Sequence, residues 1–447
     1  MNLEFFFDGA STPPFGGSFG VLAHFFHQAF QRAGHRVTSR LCPLADKHSP
    51  LTSRCRDGTI DARFFYEELF PRYRPPATAP APSLVFFNLL YLERAERIAR
   101  ATTLLFNSTY LRDCHAWELQ SAGLPHPRMG ALPIPIPLLA FPDGYPSDGV
   151  RLDIDTLAGM LGRARIGHLM RPGKIDYFAV CSLMHHLNQL ARESDQPPCY
   201  LAIPASEIRS FASTLEQMPL PSTTADCLVP LPPLDNHSMI QLMRFSDFGL
   251  CYDQCVEAFG FYPMESVLCG CPIFSNGSGN LRHLLPPDHG ISIHEDTSHY
   301  WGEPAARMNA YRPTAASILD AVTSGEGRLC TSRGQSYIRE HHSLERFDQA
   351  VELWLQRSIE EPVNTLRLTP ERTRVGLSPY LRVADWRRGR FITDRGRVDV
   401  PPGTANLWRQ MVDGESAGGM GAQLDRRVLG RIPTDRQSRN EEQVAFR

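Results

Sequence analysis

Glu257-Ala-Phe-Gly-Phe-Tyr-Pro-Met-Glu265, followed without a gap by Ser266-Val-Leu-Cys-Gly-Cys-Pro-Ile-Phe274, is the stretch on which the fold turns. Just upstream, Phe248-Gly-Leu-Cys-Tyr252 is a short apolar run of the kind that fills a buried strand. Ser266 to Leu268 predict a short helix, Gly270 stops it as a C-cap, and Pro272 bars its continuation. Ile273-Phe274 is then a second strand, and Ser275-Asn-Gly-Ser-Gly-Asn280 is a loop. Strand, acidic loop, helix start, strand and Gly/Ser loop follow one another as in an open parallel α/β sheet, where ligands bind at the carboxyl ends of the strands. Two carboxylates facing one crevice suit sugar and ribose hydroxyls, which donate to them strongly. The peptide N–H groups around Phe259, Gly260 and Phe261 suit a diphosphate. The plain alternative is a helix-capping acid and a surface acid with no ligand at all.

The wider composition fits a globular enzyme or binding protein. The chain has 447 residues, enough for two or three domains, with 42% hydrophobic and 21% charged residues. A formal net charge of -2 gives no overall attraction to nucleic acid or to anionic membranes. None of the eleven cysteines forms a Cys-x2-Cys pair, and Cys251, Cys255, Cys269 and Cys271 fall in the apolar unit above, so no metal is expected. From the acidic, unbasic start Met1 to Asp8 no signal peptide is expected, and no apolar run approaches a bilayer span. A reducing cytoplasm is the expected location.

Around the acidic unit, Glu-x-Phe-Gly-x4-Glu-Ser-x3-Gly-x-Pro resembles the Glu-x7-Glu donor motif of the retaining family-4 glycosyltransferases of the GT-B fold. The resemblance implies two Rossmann-like domains facing a cleft, a nucleotide diphosphate sugar as donor, no metal and no other cofactor. It implies that Glu257 touches the transferred sugar and Glu265 the ribose, with Phe259, Gly260 and Phe261 supplying backbone contacts. Gly16-Gly17 resembles the family's N-terminal glycine loop, though a tight turn explains two glycines equally well. Arg171 and Lys174, in Arg165-Ile-Gly-His-Leu-Met-Arg-Pro-Gly-Lys174, correspond to the cations that face the leaving diphosphate; a solvated loop is the competing reading. Two positions depart from the pattern. Asn88 stands where many members carry a histidine near the reacting sugar, and an amide can hydrogen-bond but cannot act as acid or base. His168 stands in place of the family's arginine.

Taken along the chain, the expected organisation is an acceptor domain over 1–145 and a nucleotide-sugar domain over 146–335. A long helix from Ser332 to Glu360 closes it, its segment 336–360 crossing back onto the first domain. Leu3–Phe7, Val37–Leu41, Ser83–Phe87 and Thr103–Phe106 read as strands of the first domain, whereas Cys42–Pro82 reads as irregular. His115 is expected on a helix surface, His24 and His27 on a helix flank, and Asp153-Ile-Asp155 at a helix start instead of a metal site. Beyond the resemblance, 361–447 is a basic α+β module, with sixteen arginines and ten acids from Pro362 onward. It has a hairpin about Asp394-Arg-Gly396 and a helix through 404–412, and is similar to the small winged-helix modules of peptide-maturation enzymes; a homodimer contact is the other use for it. From Arg431 a frayed tail is expected.

The function implied is retaining, metal-independent glycosyl transfer to an acceptor that the sequence does not name. Two alternatives stay open. One is a catalytically degenerate GT-B scaffold that binds a protein or sugar nucleotide, motivated by Asn88 and His168. The other is a glycosyltransferase whose acceptor is a polypeptide or nucleic acid recruited by the basic module.

Overall fold

The computed structural model describes residues 1–7, 15, 18–42, 50–52, 59–74, 81–89, 95–125, 127–295, 297–360, 373–413 and 428–433. Six strands form the first sheet: β1 (Asn2–Phe7), β2 (Arg36–Leu41), β3 (Ala62–Tyr66), β4 (Ser83–Phe87), β5 (Thr103–Phe106) and β6 (Arg128–Ala131). All neighbours are parallel, in the order β2-β1-β3-β4-β5-β6. Phenylalanines dominate its filling, with Phe6 and Phe65 stacked at 4.6 Å and Phe26 of the helix Ser18–Arg32 lying 4.8 Å from Phe86.

A second parallel sheet runs in the order β12-β11-β10-β7-β8-β9. Its strands are β7 (Arg165–His168), β8 (Cys199–Pro204), β9 (Leu228–Leu231), β10 (Phe248–Cys251), β11 (Ile273–Ser275) and β12 (Ile291–Ile293). The chain reverses direction across this sheet between β7 and β10, so the loops leaving those two strands meet at one crevice. Open α/β sheets place ligands at such a switch point.

Near the C-terminus β13 (Thr373–Leu377) pairs antiparallel with β17 (Leu429–Pro433). A three-stranded antiparallel sheet contains β14 (Leu381–Asp385), β15 (Arg390–Thr393) and β16 (Gly396–Asp399). The helix Pro402–Asp413 completes this module, whose small core holds Phe391, Val398, Ala405 and Trp408. No helix among the described residues is long and apolar enough to cross a membrane.

Several expectations need correction. The segment read as irregular contains β3, which lies between β1 and β4 in the middle of the first sheet. Arg63 hid it: a charged residue in an apolar run argues against burial, yet here the guanidinium, 1% exposed, lies 3.2 Å from the fully buried carboxylate of Glu4 on β1. The closing helix is two helices, Glu326–His341 and Leu344–Glu360. Ser343 separates them by capping the second, its hydroxyl accepting from Arg346 N at 3.2 Å. The second does pack on the first sheet's core through Phe347, Ala350, Val351 and Trp354, whose ring lies so close to Gly130 of β6 that a Cβ there would sit 2.1 Å from it. His115 is buried, not exposed, wedged between Phe87 and Phe106 with its Nδ1 2.9 Å from Leu111 O. Arg431 to Pro433 belong to β17; the rest of the expected tail lies outside the described residues.

Candidate functional site

β10 delivers the chain to the crevice at Tyr252, and residues 252–260 cross the mouth before the helix Phe261–Leu268. That helix starts five residues before the predicted one. Pro263 is tolerated because the first-turn N–H groups have no partner inside the helix. Gly260 makes the turn at φ +115, where a Cβ would also meet Leu284 Cδ1 at 2.6 Å.

At the mouth four charged groups interlock. Glu257, 8% exposed, accepts from Arg171 Nη2 and, at 2.9 Å, from Lys174 Nζ, while its other oxygen accepts from Phe259 N at 3.3 Å. Arg171 donates through Nη1 to Asp253, lies 2.7 Å from Cys251 Sγ, and spreads over the Tyr262 ring at 5.5 Å. Burial pushes the Glu257 carboxyl up, but Arg171 and Lys174 outweigh it and hold the pKa below its ordinary value. For Asp253 burial wins over Arg171, and its pKa rises to about 6. Sequence reasoning missed Asp253, although an acid directly after a strand that ends at a switch point was a signal available to it.

The four groups differ in reach. The Arg171 side chain is 7% exposed and committed to two carboxylates, whereas that of Lys174 is 40% exposed and keeps N–H groups for a ligand. Of the two predicted phosphate-facing cations, Lys174 is therefore the accessible one, and Arg171 orients the Glu257 carboxylate.

Glu265 lies one turn into the helix, half-buried; its carbonyl accepts from Cys269 N at 2.9 Å, while its carboxyl group has no hydrogen bond or ion pair to any described residue. Burial raises its pKa to about 8. A carboxyl so raised favours its neutral form at pH 7, which can donate as well as accept. Because the folded value exceeds the unfolded one of roughly 4.3, the folded state binds the extra proton, and stability falls as pH rises from about 4 to about 8. Glu265→Gln should remove that part of the slope, so denaturant midpoints of the variant and the parent should diverge in the variant's favour towards pH 8. Parallel curves across that range would contradict the assignment.

His168 is a core residue. It is fully buried under the helix Phe261–Leu268, its Nδ1 2.6 Å from the Tyr262 hydroxyl and its Nε2 3.1 Å from Ser266 Oγ. Burial drives its pKa down to about 3, so the ring is neutral and acts as a strut. Phe259 is core, 4% exposed and edge-on to Phe261 at 4.9 Å, and its carbonyl accepts from Asn280 Nδ2 at 2.9 Å.

The first domain reaches the same mouth from the ends of β4 and β5. Asn88 ends β4 with its backbone N–H donating to Glu67 at 2.9 Å and its side-chain oxygen accepting from Asn107 Nδ2 at 2.9 Å. Ser108 caps the helix Thr109–Ser121 and can donate either to Asn107 Oδ1 at 3.1 Å or to the Ala258 carbonyl at 2.8 Å. Asn88 is thus linked through Asn107 and Ser108 to the acidic loop. A cavity of about 890 Å³ beside this junction is lined by Asn107, Ser108, Leu132, Phe259, Asn280 and His342 among others. Of the predicted site residues that are described, only Phe259 lines it. Gly16 and Gly17 lie outside the described residues. Asp153 caps the helix Ile154–Leu161, accepting from Asp155 N and Thr156 N at 3.1 Å each, and no group of three or more His, Cys, Asp or Glu among the described residues could hold a metal.

By sequence, the chain matches no protein-family model and no curated protein. Its architecture does match solved structures. A sucrose-phosphate synthase from Thermosynechococcus elongatus superposes with a TM-score of 0.52 at 13% identity over 79% of this chain and 98% of that one. An α,α-trehalose-phosphate synthase (UDP-forming) from Burkholderia vietnamiensis gives 0.55 at 10% identity, over 80% and 97%. The E. coli trehalose-6-phosphate protein bound with UDP-2-fluoro glucose gives 0.53 at 12% identity, over 81% and 100%. With two parallel six-stranded sheets, each flanked by helices, and loops of both meeting at one crevice, the chain has the GT-B fold.

Proposed function

We propose that the protein is a glycosyltransferase that takes a sugar from a nucleotide diphosphate sugar with retention of configuration, without a metal. The observation that carries this reading is the ionised Glu257, locked by Arg171 and Lys174 at the switch point of the second sheet. A negative carboxylate with fixed orientation accepts from hydroxyls of a bound sugar and favours the positive charge that develops at the anomeric carbon as its bond breaks. The leaving diphosphate gains charge in the same step, and the exposed Lys174 ammonium would offset it. Glu265, largely neutral, would exchange hydrogen bonds with a ribose diol, and the Phe261 end of its helix would offer the positive end of a dipole. Asn88, tied to Asn107, would orient a hydroxyl of donor or acceptor without moving a proton.

Nucleotide release from UDP-, GDP- and dTDP-sugars, followed with and without a panel of sugar and peptide acceptors, tests the proposal. Release that requires these residues supports it, hydrolysis by water included. Binding of a sugar nucleotide with no release under any condition would favour a scaffold instead.

A further inference from the structure

The C-terminal module meets the loop 276–282 chiefly through one buried carboxylate, with Arg382 beside it. Asp394 forms the tip of the β15–β16 hairpin, and its side chain is wholly buried. One oxygen accepts from Gly279 N at 2.9 Å; the other accepts from Arg282 Nη1 and Nη2 at 3.1 Å each and from the Tyr110 hydroxyl at 2.6 Å. Arg382 of β14 approaches to 3.8 Å and donates through Nη2 to the Asn276 carbonyl at 2.6 Å. A carboxylate matched this completely by two guanidiniums, a hydroxyl and an amide fixes the geometry of everything it touches, since any displacement leaves a buried charge unpaired.

What it touches is the loop packed behind the segment that carries the acids. Asn276 holds the backbone of Asp253, donating to its carbonyl at 2.8 Å. Asn280 N donates to the Glu257 carbonyl at 2.7 Å. Gly279, at φ +59, presses so closely on Glu257 that a Cβ would fall 2.3 Å from that carbonyl oxygen. Tyr110 follows Ser108 by two positions on the first domain and shares an apolar cluster with Cys114, Trp117, Tyr380 and, packed against them, Val256. Asp394 therefore ties together the module, the helix Thr109–Ser121 of the first domain, and the loop that fixes Glu257 from behind.

We propose that Asp394 is a positioning residue for the donor site, and that the C-terminal module is a brace of that site, not a separate tether. The proposal rests on the donor reading of Glu257. It also means that removing the module to isolate acceptor recruitment would loosen the donor half as well.

Amide exchange and nucleotide binding on the full chain test it. Asp394→Ala should speed exchange about tenfold or more in 276–282 and in 253–260, and weaken binding of UDP, GDP or dTDP, each measured by calorimetry, by about tenfold or more. Asp394→Asn, which keeps an acceptor for Gly279 N, should recover part of both effects, and it carries the test should the alanine variant not fold. Arg395→Ala, which removes a module contact to Glu118 that does not involve the loop, should leave both readouts at the parent level. Parent-like exchange in 253–260 with Asp394→Ala would overturn the proposal, as would equal loosening by Arg395→Ala. If the parent binds none of the three nucleotides, the donor reading fails, and the exchange measurement alone decides whether the brace exists.

Discussion

Glu257→Gln is expected to lower sugar transfer by about a thousandfold, or roughly 4 kcal/mol in the barrier, while leaving the fold and the nucleotide affinity in place. The amide keeps the shape of the carboxylate but not its charge, and the charge is what differs in value between the ground state and an oxocarbenium-like transition state. The affinity for UDP alone is informative in its sign. In the parent, Arg171 and Lys174 both face Glu257. Neutralising that residue leaves Lys174 with a full positive charge for the diphosphate, so nucleotide binding should be equal to the parent's or tighter. A loss confined to turnover, with binding kept, shows a role in the transition state. Turnover within tenfold of the parent would remove Glu257 from the chemistry.

The second large effect is on stability. Arg171→Met should cost about 3–5 kcal/mol at pH 7, because it leaves Asp253 buried with only the more distant Lys174 charge and Glu257 with only Lys174 as a partner. Lys at this position should rescue little, since one ammonium cannot reach both carboxylates in the planar fork that Arg171 presents. The pH dependence has a definite sign. Without Arg171 both carboxyls lose the charge that lowers their pKa values in the fold, so both rise: Asp253, already above its unfolded value of roughly 4, climbs further, and Glu257 leaves the low value that Arg171 helps to hold. The folded variant then holds protons that its unfolded chain releases, and its deficit relative to the parent grows as pH rises from about 4 through 6 and beyond. Denaturant titrations at pH 4.5 and 7.5 should show the smaller gap at the lower pH. A deficit independent of pH would mean that lost packing, and not exposed charge, causes the damage.

These two expectations draw on residues of differing legibility. Glu257, Glu265, Arg171 and Lys174 could be named from the chain because motifs put chemistry at fixed spacing along two strand–loop–helix units, and that spacing survives folding. The structure brings Glu257, Arg171 and Lys174 into one cluster. Their division of labour was not legible. That Arg171 is sealed behind Glu257 while Lys174 stays open depends on Tyr262, Cys251 and Asp253, which pack around the guanidinium from a helix, the end of β10 and the loop after it.

His168 shows the limit from the other side. The resemblance implies for it the position of a phosphate-facing arginine; in the fold its ring sits under Tyr262 and Ser266, where burial removes its charge. A side chain's ionisation is set by what surrounds it, and the surroundings come from residues about a hundred positions away.

What the sequence alone determined was the periodic and local part: short apolar strands alternating with helices, hence parallel α/β sheets, and the acidic unit at a strand's carboxyl end. Only the tertiary structure decided which charged residues could be buried. It placed Arg63 in a central strand because Glu4 lies opposite, and it closed Asp394 of a remote module onto Gly279 behind the acidic loop. The physical reason is common to both: a buried charge is tolerable only beside its partner, and partners separated by 59 or 115 residues in the chain are brought together by the fold and not by the spacing of the sequence.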